Sequence, residues 1–245
     1  MRAILLAAGR GSRLGELTEE EPKCRTMLLG KRLLDRQLEA LRAAGIREIA
    51  IVRGYRAERI RVEGVAYYDN AQWADTNMVA SLCCAASWLE QEPCVVSYTD
   101  IVYSPAAIEL LARGAAEADI VIPYSTQWRA LWEARFHDPL TDAETFRLTA
   151  DGGVAEIGGV PAALEEVEGQ FMGLLRLTPG GWRTIRTFLD GCSPAEQARM
   201  DVTSLLAGLL GQGVAITALP YDGVWLEVDR ASDLQLYEQR YQGVL

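Results

Sequence analysis

One histidine, His137, and five cysteines lacking any C-x-x-C spacing leave this 245-residue chain poor in metal-binding and thiol chemistry. The cysteines are Cys24, Cys83, Cys84, Cys94 and Cys192, an odd number with one adjacent pair, which supports neither a disulfide framework nor a zinc site. Basic residues are also scarce: 24 Lys and Arg stand against 34 Asp and Glu, a formal charge of −10. That balance argues against a nucleic-acid surface, since binding a phosphate backbone needs clustered cations. No apolar run reaches membrane-spanning length, and Gly9 to Arg13 interrupts the first one at once, so neither a leader nor a membrane partner is expected. The plain expectation is a cytoplasmic protein that binds anions through a few placed basic groups. Internal repeats and low-complexity linkers are absent as well.

What the chain does have is alternation. "RAILLAA" is a continuous apolar run suited to a buried parallel strand. "LLDRQLEALRAAG" sets Leu34, Leu38 and Leu41 on one helical face, with Gly45 at the C-cap. "EIAIVRGY" and "VAYYDN" read as strands, and "TNMVASLCCAASWLEQ" as a helix capped by Thr76 or Asn77. "CVVSYTD", "PAAIELLARGA" and "DIVIPY" continue strand, helix, strand. Right-handed βαβ units follow, giving an α/β fold with a Rossmann-like, mostly parallel sheet flanked by helices. The pattern then loosens into a hairpin around Asp151-Gly152-Gly153, a strand "QFMGLLRLT", two helices, the strands of "AITALPYDGVWLEVD" and a closing helix. The expected organisation is one domain over 1–245. Residues 1–123 form a nucleotide-binding core, about 124–175 a small β-rich acceptor-binding insert, and 176–245 complete the core.

Ligands of open α/β sheets bind beyond the carboxyl ends of the strands, which is where Gly9, Arg10, Gly11, Ser12 and Arg13 follow the first strand. Glycines there let backbone amides face an anion, Arg13 can fork two phosphate oxygens, and Lys23 after Pro22 adds a point charge. The loop has neither Walker nor GxGxxG spacing, so by itself it reads equally well as an ordinary strand-to-helix turn. Two acids end strands: Asp100 after "VVSYT" and Asp229 after "WLEV", with Glu227 alternating beside the latter. Asp229 has a competing reading as the cap of the last helix, a role open also to Ser232.

Taken together, "LAAGRGSRL", "EPK" and "LLDRQLEALRAAGIREIAIVRGY" resemble the nucleotidyltransferases that join an NTP to a sugar-1-phosphate or related phosphate. That family's signature is G-x-G-[ST]-R-[LM] with a downstream P-K. The match runs over about the first hundred residues, with Thr18, Pro22, Lys23, Gly45, Gly54 and Tyr55 in register. The resemblance implies the nucleotide-diphospho-sugar transferase type of fold and Mg²⁺-dependent attack of an acceptor phosphate on the NTP α-phosphorus, with release of pyrophosphate. It implies that Leu6, Ala7, Ala8 and Gly9 line the nucleotide and that Gly11, Ser12 and Arg13 hold the triphosphate. Arg13, Lys23 and Asp100 would act in catalysis, with Asp100 and Asp229 on the metal. An anionic acceptor needs no general base, so His137 has no expected part.

Chain length and "TNMVASL" look like the cytidylyltransferase branch, similar to CTP:phosphocholine cytidylyltransferase and to enzymes that activate phosphonates or phosphoramidates with CMP. In that branch Asn77 and Ser81 lie near base and acceptor; capping by Asn77 and burial of Ser81 explain them equally well. "WRALWEARFHDPLTDAETFR" supplies the candidate acceptor residues. Trp128 and Trp132 would form an aromatic wall for a cationic head group or pack the insert to the core. Asp142 and Glu144 would pair with an amine, and Arg129 or Arg135 would bind a carboxylate or phosphonate. The expected partners are CTP and a small phosphorylated or phosphonate acceptor. A homodimer fits the family's habit, although no periodicity here shows one. The alternatives are a sugar-1-phosphate uridylyl- or thymidylyltransferase and, in a different class, an inactive nucleotide-binding regulatory protein.

Overall fold

The computed structural model describes residues 1–243. Its central sheet takes strands β1 (Arg2–Ala7), β2 (Ile49–Arg53), β3 (Ala66–Asp69), β4 (Cys94–Tyr98), β5 (Ile120–Ser125), β6 (Leu174–Leu177) and β7 (Thr217–Tyr221). They lie in the order β7-β5-β6-β4-β1-β2-β3, and Gln170–Phe171 continues the line of β6 along β5. All are parallel except β6, which runs antiparallel to both its neighbours. This is the mixed, mostly parallel sheet expected from the alternation of strands and helices.

The apolar runs are continuous because both faces are covered. Ala3, Leu5 and Ala7 of β1 enter one core cluster, while Ile4 and Leu6 enter the other. Helices α1 (Leu33–Ala43) and α2 (Pro105–Arg113) seal the first face through Leu34, Leu38, Leu41, Ile108 and Leu111. Helices α3 (Met78–Cys84), α4 (Pro179–Asp190) and α5 (Val202–Gly211) seal the second through Val79, Leu82, Trp182, Ile185, Leu205 and Leu209. The expected single helix from Thr76 breaks at Ala85 into two short pieces, Met78–Cys84 and Ala86–Leu89.

One irregularity positions the site. Pro123 in β5 has no N–H to give its neighbour, and the partner strand breaks opposite it, between Phe171 and Leu174. Gly173 turns the chain there with φ +70°, and a Cβ at that position would lie 2.8 Å from the Tyr98 ring. The break therefore lets Phe171 and Tyr98 meet edge to face in the wall of a cleft.

The segment expected as a β-rich insert begins with a helix, α6 (Trp128–Arg135), followed by the hairpin Phe146–Leu148 and Val154–Ile157. A separate two-stranded antiparallel ribbon pairs Ile101–Tyr103 with Trp225–Glu227, and α7 (Ala231–Arg240) closes the fold. That ribbon pairs residues more than a hundred positions apart. No helix among the described residues is long and apolar enough to cross a membrane.

Candidate active site

The loop after β1 winds into a tight helical turn over Ser12–Thr18, and the buried Thr18 hydroxyl ties it to the carbonyls of Gly11 and Gly15. Gly11 has φ +73°, and a Cβ there would lie 2.7 Å from the Lys23 side chain. Glycine is required because Lys23 passes directly against the loop. Gly9 faces open space, leaving room for a ligand.

Lys23 projects between the two strand-end acids. Its Nζ lies 2.7 Å from Asp100 Oδ2 and 2.6 Å from Asp229 Oδ1, and Arg13 Nη2 donates to the same Asp229 oxygen at 2.9 Å. The Lys23 side chain is 12% exposed, Asp100 21% and Asp229 only 3%. Burial alone would lower the Lys23 pKa, but Asp100 and Asp229 outweigh it and hold the ammonium at about 12. For Asp229, burial pushes upward, while Lys23, Arg13 and Arg135 together bring the carboxyl below its ordinary value.

The backbone around both acids is clamped. Gln37, buried in α1, donates its amide to the carbonyls of Tyr98 and Ile101 on either side of Asp100. Thr99 donates to Leu6 O, and Val228 N to Asp100 O at 2.8 Å. Asp229 is not the helix cap. Asp233 accepts the backbone N–H groups of Asp229 and Arg230, each at 2.9 Å, which frees the Asp229 carboxylate to face the cations.

Behind Asp229 sits Arg135, whose side chain is 0% exposed. It reaches Glu227 at 2.9 Å, Asp233 at 3.1 Å and Asp229 at 3.6 Å, while its guanidinium lies 4.9 Å from the Trp132 ring centroid. Across the cluster, Arg13, Lys23 and Arg135 oppose Asp100, Glu227, Asp229 and Asp233, one carboxylate in surplus. Burial and then Asp229 raise the Glu227 pKa to about 8 against the pull of Arg135.

Two cavities adjoin at Met78. The smaller, about 70 Å³, is lined by Leu6, Ala8, Gly9, Trp73, Thr76, Asn77, Met78 and Ser81. The larger, about 210 Å³, has Asp142, Glu144, Asp201, Glu227 and Asp229 in its wall, with Arg13 the one cation among its described lining residues. Tyr98, Trp132, Phe171, Gln170 and Thr203 complete much of the rest. Burial raises the Asp142 pKa, and burial followed by Asp201 raises that of Glu144.

Most of the sequence-derived candidates converge here. Leu6, Ala8, Gly9, Asn77 and Ser81 share the smaller cavity, whereas the Ala7 side chain turns into the opposite core. Asn77 caps α3 through the Met78 N–H, and Ser81 accepts from Asn70, so both have structural duties as well as their place in the wall. Ser12 is exposed on the loop. Trp132, Asp142 and Glu144 line the larger cavity. The remaining candidates lie elsewhere: Trp128 packs edge-on against Trp132 in the core, Arg129 pairs with Glu133 on the surface, and Arg135 is enclosed by carboxylates. His137 is exposed.

Sequence reasoning passed over Trp73, Met78, Tyr98, Phe171, Gln170, Asp201 and Thr203. Asp201 carries a visible signal, but an ambiguous one, because it also caps α5 through Ser204 N at 2.8 Å. The remainder look like core or strand residues until the fold brings them together.

The sheet, the glycine-rich loop after β1 and the paired strand-end acids define a nucleotidyltransferase. Residues 3–167 match the MobA-like NTP transferase domain, and the chain belongs to that family. It is 34% identical over 252 aligned residues to the CTP:phosphoglutamine cytidylyltransferase of Campylobacter jejuni, covering 96% of this chain and 98% of that one. It is 35% identical over 129 residues to the CMP-5'-(3-aminopropyl)phosphonate synthase of Streptomyces rubellomurinus, covering 49% of this chain and 20% of that one. Among solved structures, the inositol-1-phosphate CTP transferase from T. maritima shares the fold with a TM-score of 0.76 at 19% identity, covering 100% of this chain and 97% of that one.

Proposed function

We propose that the protein is a cytidylyltransferase. It transfers CMP from CTP to a small acceptor bearing a phosphate, phosphonate or phosphoramidate at one end and an ammonium at the other, and releases pyrophosphate. The observation that carries this reading is the join between the Arg13–Lys23–Asp100–Asp229 cluster and an acid-lined cavity. Arg13 and Asp229 belong to both. The full-length resemblance to a cytidylyltransferase with a phosphoglutamine acceptor supports the choice of nucleotide and acceptor class.

In this reading the base enters the smaller cavity beside Gly9, Trp73 and Ser81. An anionic oxygen of the acceptor attacks the α-phosphorus in line as the bond to pyrophosphate breaks. The nucleophile is already ionised, so no side chain has to take a proton. Arg13 and Lys23 neutralise phosphate oxygens, and the acceptor's ammonium faces Glu144, Asp142 and Asp201.

The acids also fit Mg²⁺. Asp100 Oδ1 is buried with no hydrogen-bond partner among the described residues, and one or two carboxylates suffice when phosphate oxygens and waters fill the other positions. Held by Asp100 and Asp229, the ion would supply charge neutralisation at the phosphates.

A screen of CTP, UTP, dTTP and ATP against aminoalkylphosphonates, phosphoglutamine, phosphocholine and hexose-1-phosphates, read by pyrophosphate, tests the proposal. CTP with an ammonium-bearing acceptor is the expected pair. Turnover confined to UTP or dTTP with a hexose-1-phosphate overturns it.

A further inference from the structure

We infer that Lys23 is the resident counter-cation of Asp100 and Asp229 in the free protein, and that it must give up this place before a divalent ion is held firmly between them. Metal and nucleotide then bind as a coupled pair. The inference rests on the proposed metal reading and adds an order of events to it.

The geometry leaves little choice. One ammonium touches both carboxylates, at 2.7 and 2.6 Å, in a setting where both would otherwise be poorly solvated anions. Asp100 keeps one oxygen free, but Asp229 does not: its Oδ1 accepts from Lys23 and Arg13, and its Oδ2 faces Arg135. A divalent ion approaching Asp229 therefore meets three positive charges, and like charges a few ångströms apart repel strongly in a partly buried site.

A triphosphate changes that balance. It offers Arg13 and Lys23 other oxygens and brings negative charge of its own. The four-carbon stem of lysine can swing its charge between partners, whereas a planar guanidinium fork is held to fixed ones. Gly11 supplies the mechanical link, because its backbone lies against the Lys23 stem so closely that no Cβ fits between them. A loop that tightens on phosphate thus presses on the same side chain that guards the acids. By linkage, whatever nucleotide does for metal affinity, metal does equally for nucleotide affinity.

The sign of the test is unusual: removing a side chain raises metal affinity. Equilibrium dialysis with Mn²⁺ as the probe compares wild type, Lys23→Met and Lys23→Met/Asp100→Asn, each without nucleotide and with CTP. Lys23→Met is expected to bind Mn²⁺ alone at least about 10-fold more tightly than wild type, from the loss of one neighbouring charge. The added Asp100→Asn change is expected to abolish that gain. Equal or weaker Mn²⁺ binding by Lys23→Met overturns the inference while leaving the metal reading intact. If wild type retains no Mn²⁺ even with CTP, the metal reading itself fails.

A second measurement needs no variant. The sequence contains two lysines, Lys23 and the exposed Lys31, so ¹⁵N-lysine labelling gives a side-chain ammonium spectrum with at most two signals. The Lys23 signal is expected to be exchange-protected, to persist in Mg²⁺ alone and to move when CTP is added with Mg²⁺. An equal displacement by Mg²⁺ alone contradicts the inference.

Discussion

Arg135→Met separates two accounts of the same residue. The expectation from sequence was an acceptor-binding arginine, for which loss would raise acceptor KM and leave stability alone. In the structure the guanidinium is sealed from solvent and serves Glu227, Asp229 and Asp233, the last two almost fully buried as well. Removing one partner of a buried ion network costs about 3–5 kcal/mol, because the charges left behind remain desolvated. The stacked position over Trp132 and Phe136 adds a smaller cation–π loss, about 0.5–2 kcal/mol. At about 2–4 °C per kcal/mol for a chain of this size, the two losses together should lower Tm by about 7–28 °C. Arg135→Lys should recover part of this, since it restores the charge without the fork. Differential scanning calorimetry gives Tm, and steady-state kinetics on the surviving folded fraction give the rest: kcat falls as Asp229 loses its fixed position, with acceptor KM affected less. A Tm within about 2 °C of wild type together with a large rise in acceptor KM would refute the structural role.

The other predictions concern the loop, the acids and the larger cavity. Asp100→Asn keeps the fold, by circular dichroism, and lowers kcat on the order of 10²–10³-fold through loss of a charge-stabilising group; near-normal turnover would remove Asp100 from the chemistry. Gly11→Ala forces a left-handed residue at a cost of about 1–2 kcal/mol and pushes on Lys23, so Tm falls and CTP KM rises, both measurable on one preparation. Glu144→Gln acts on pH dependence. The folded-state pKa of Glu144 lies above its ordinary value, so its contribution to stability is full at low pH and is lost as pH rises through the carboxylate range to that raised value. Glutamine removes this slope and stabilises the fold at neutral pH, while acceptor KM rises and CTP KM stays put; unfolding curves at several pH values and paired KM measurements check both halves.

How far the site was legible follows from where its information resides. The buried strands announce themselves, because β1 and β2 are apolar on both faces, and the loop glycines and Pro22-Lys23 carry a local pattern. Asp100 could be read from its place after a strand. Asp229 was ambiguous until Asp233, four residues on, was seen to take the capping duty. Arg135 was misleading: its partners lie 92 to 98 positions away, and nothing local distinguishes an arginine aimed at solvent from one folded under a tryptophan. Asp201 and Thr203 reach the larger cavity only because α5 packs beneath the hairpin that carries Phe146 and Val154. Periodicity reports which face of an element is buried; it does not report which distant element covers that face.

The central claim is transfer of CMP to an ammonium-bearing phosphorus acceptor, and ³¹P NMR of the reaction mixture tests it most directly. With CTP, Mg²⁺ and an aminoalkylphosphonate or phosphoglutamine, the account predicts a new pair of coupled P–O–P resonances growing in step with an equal amount of pyrophosphate. CTP that stays intact with every ammonium-bearing acceptor, or is only hydrolysed to CMP, would contradict it.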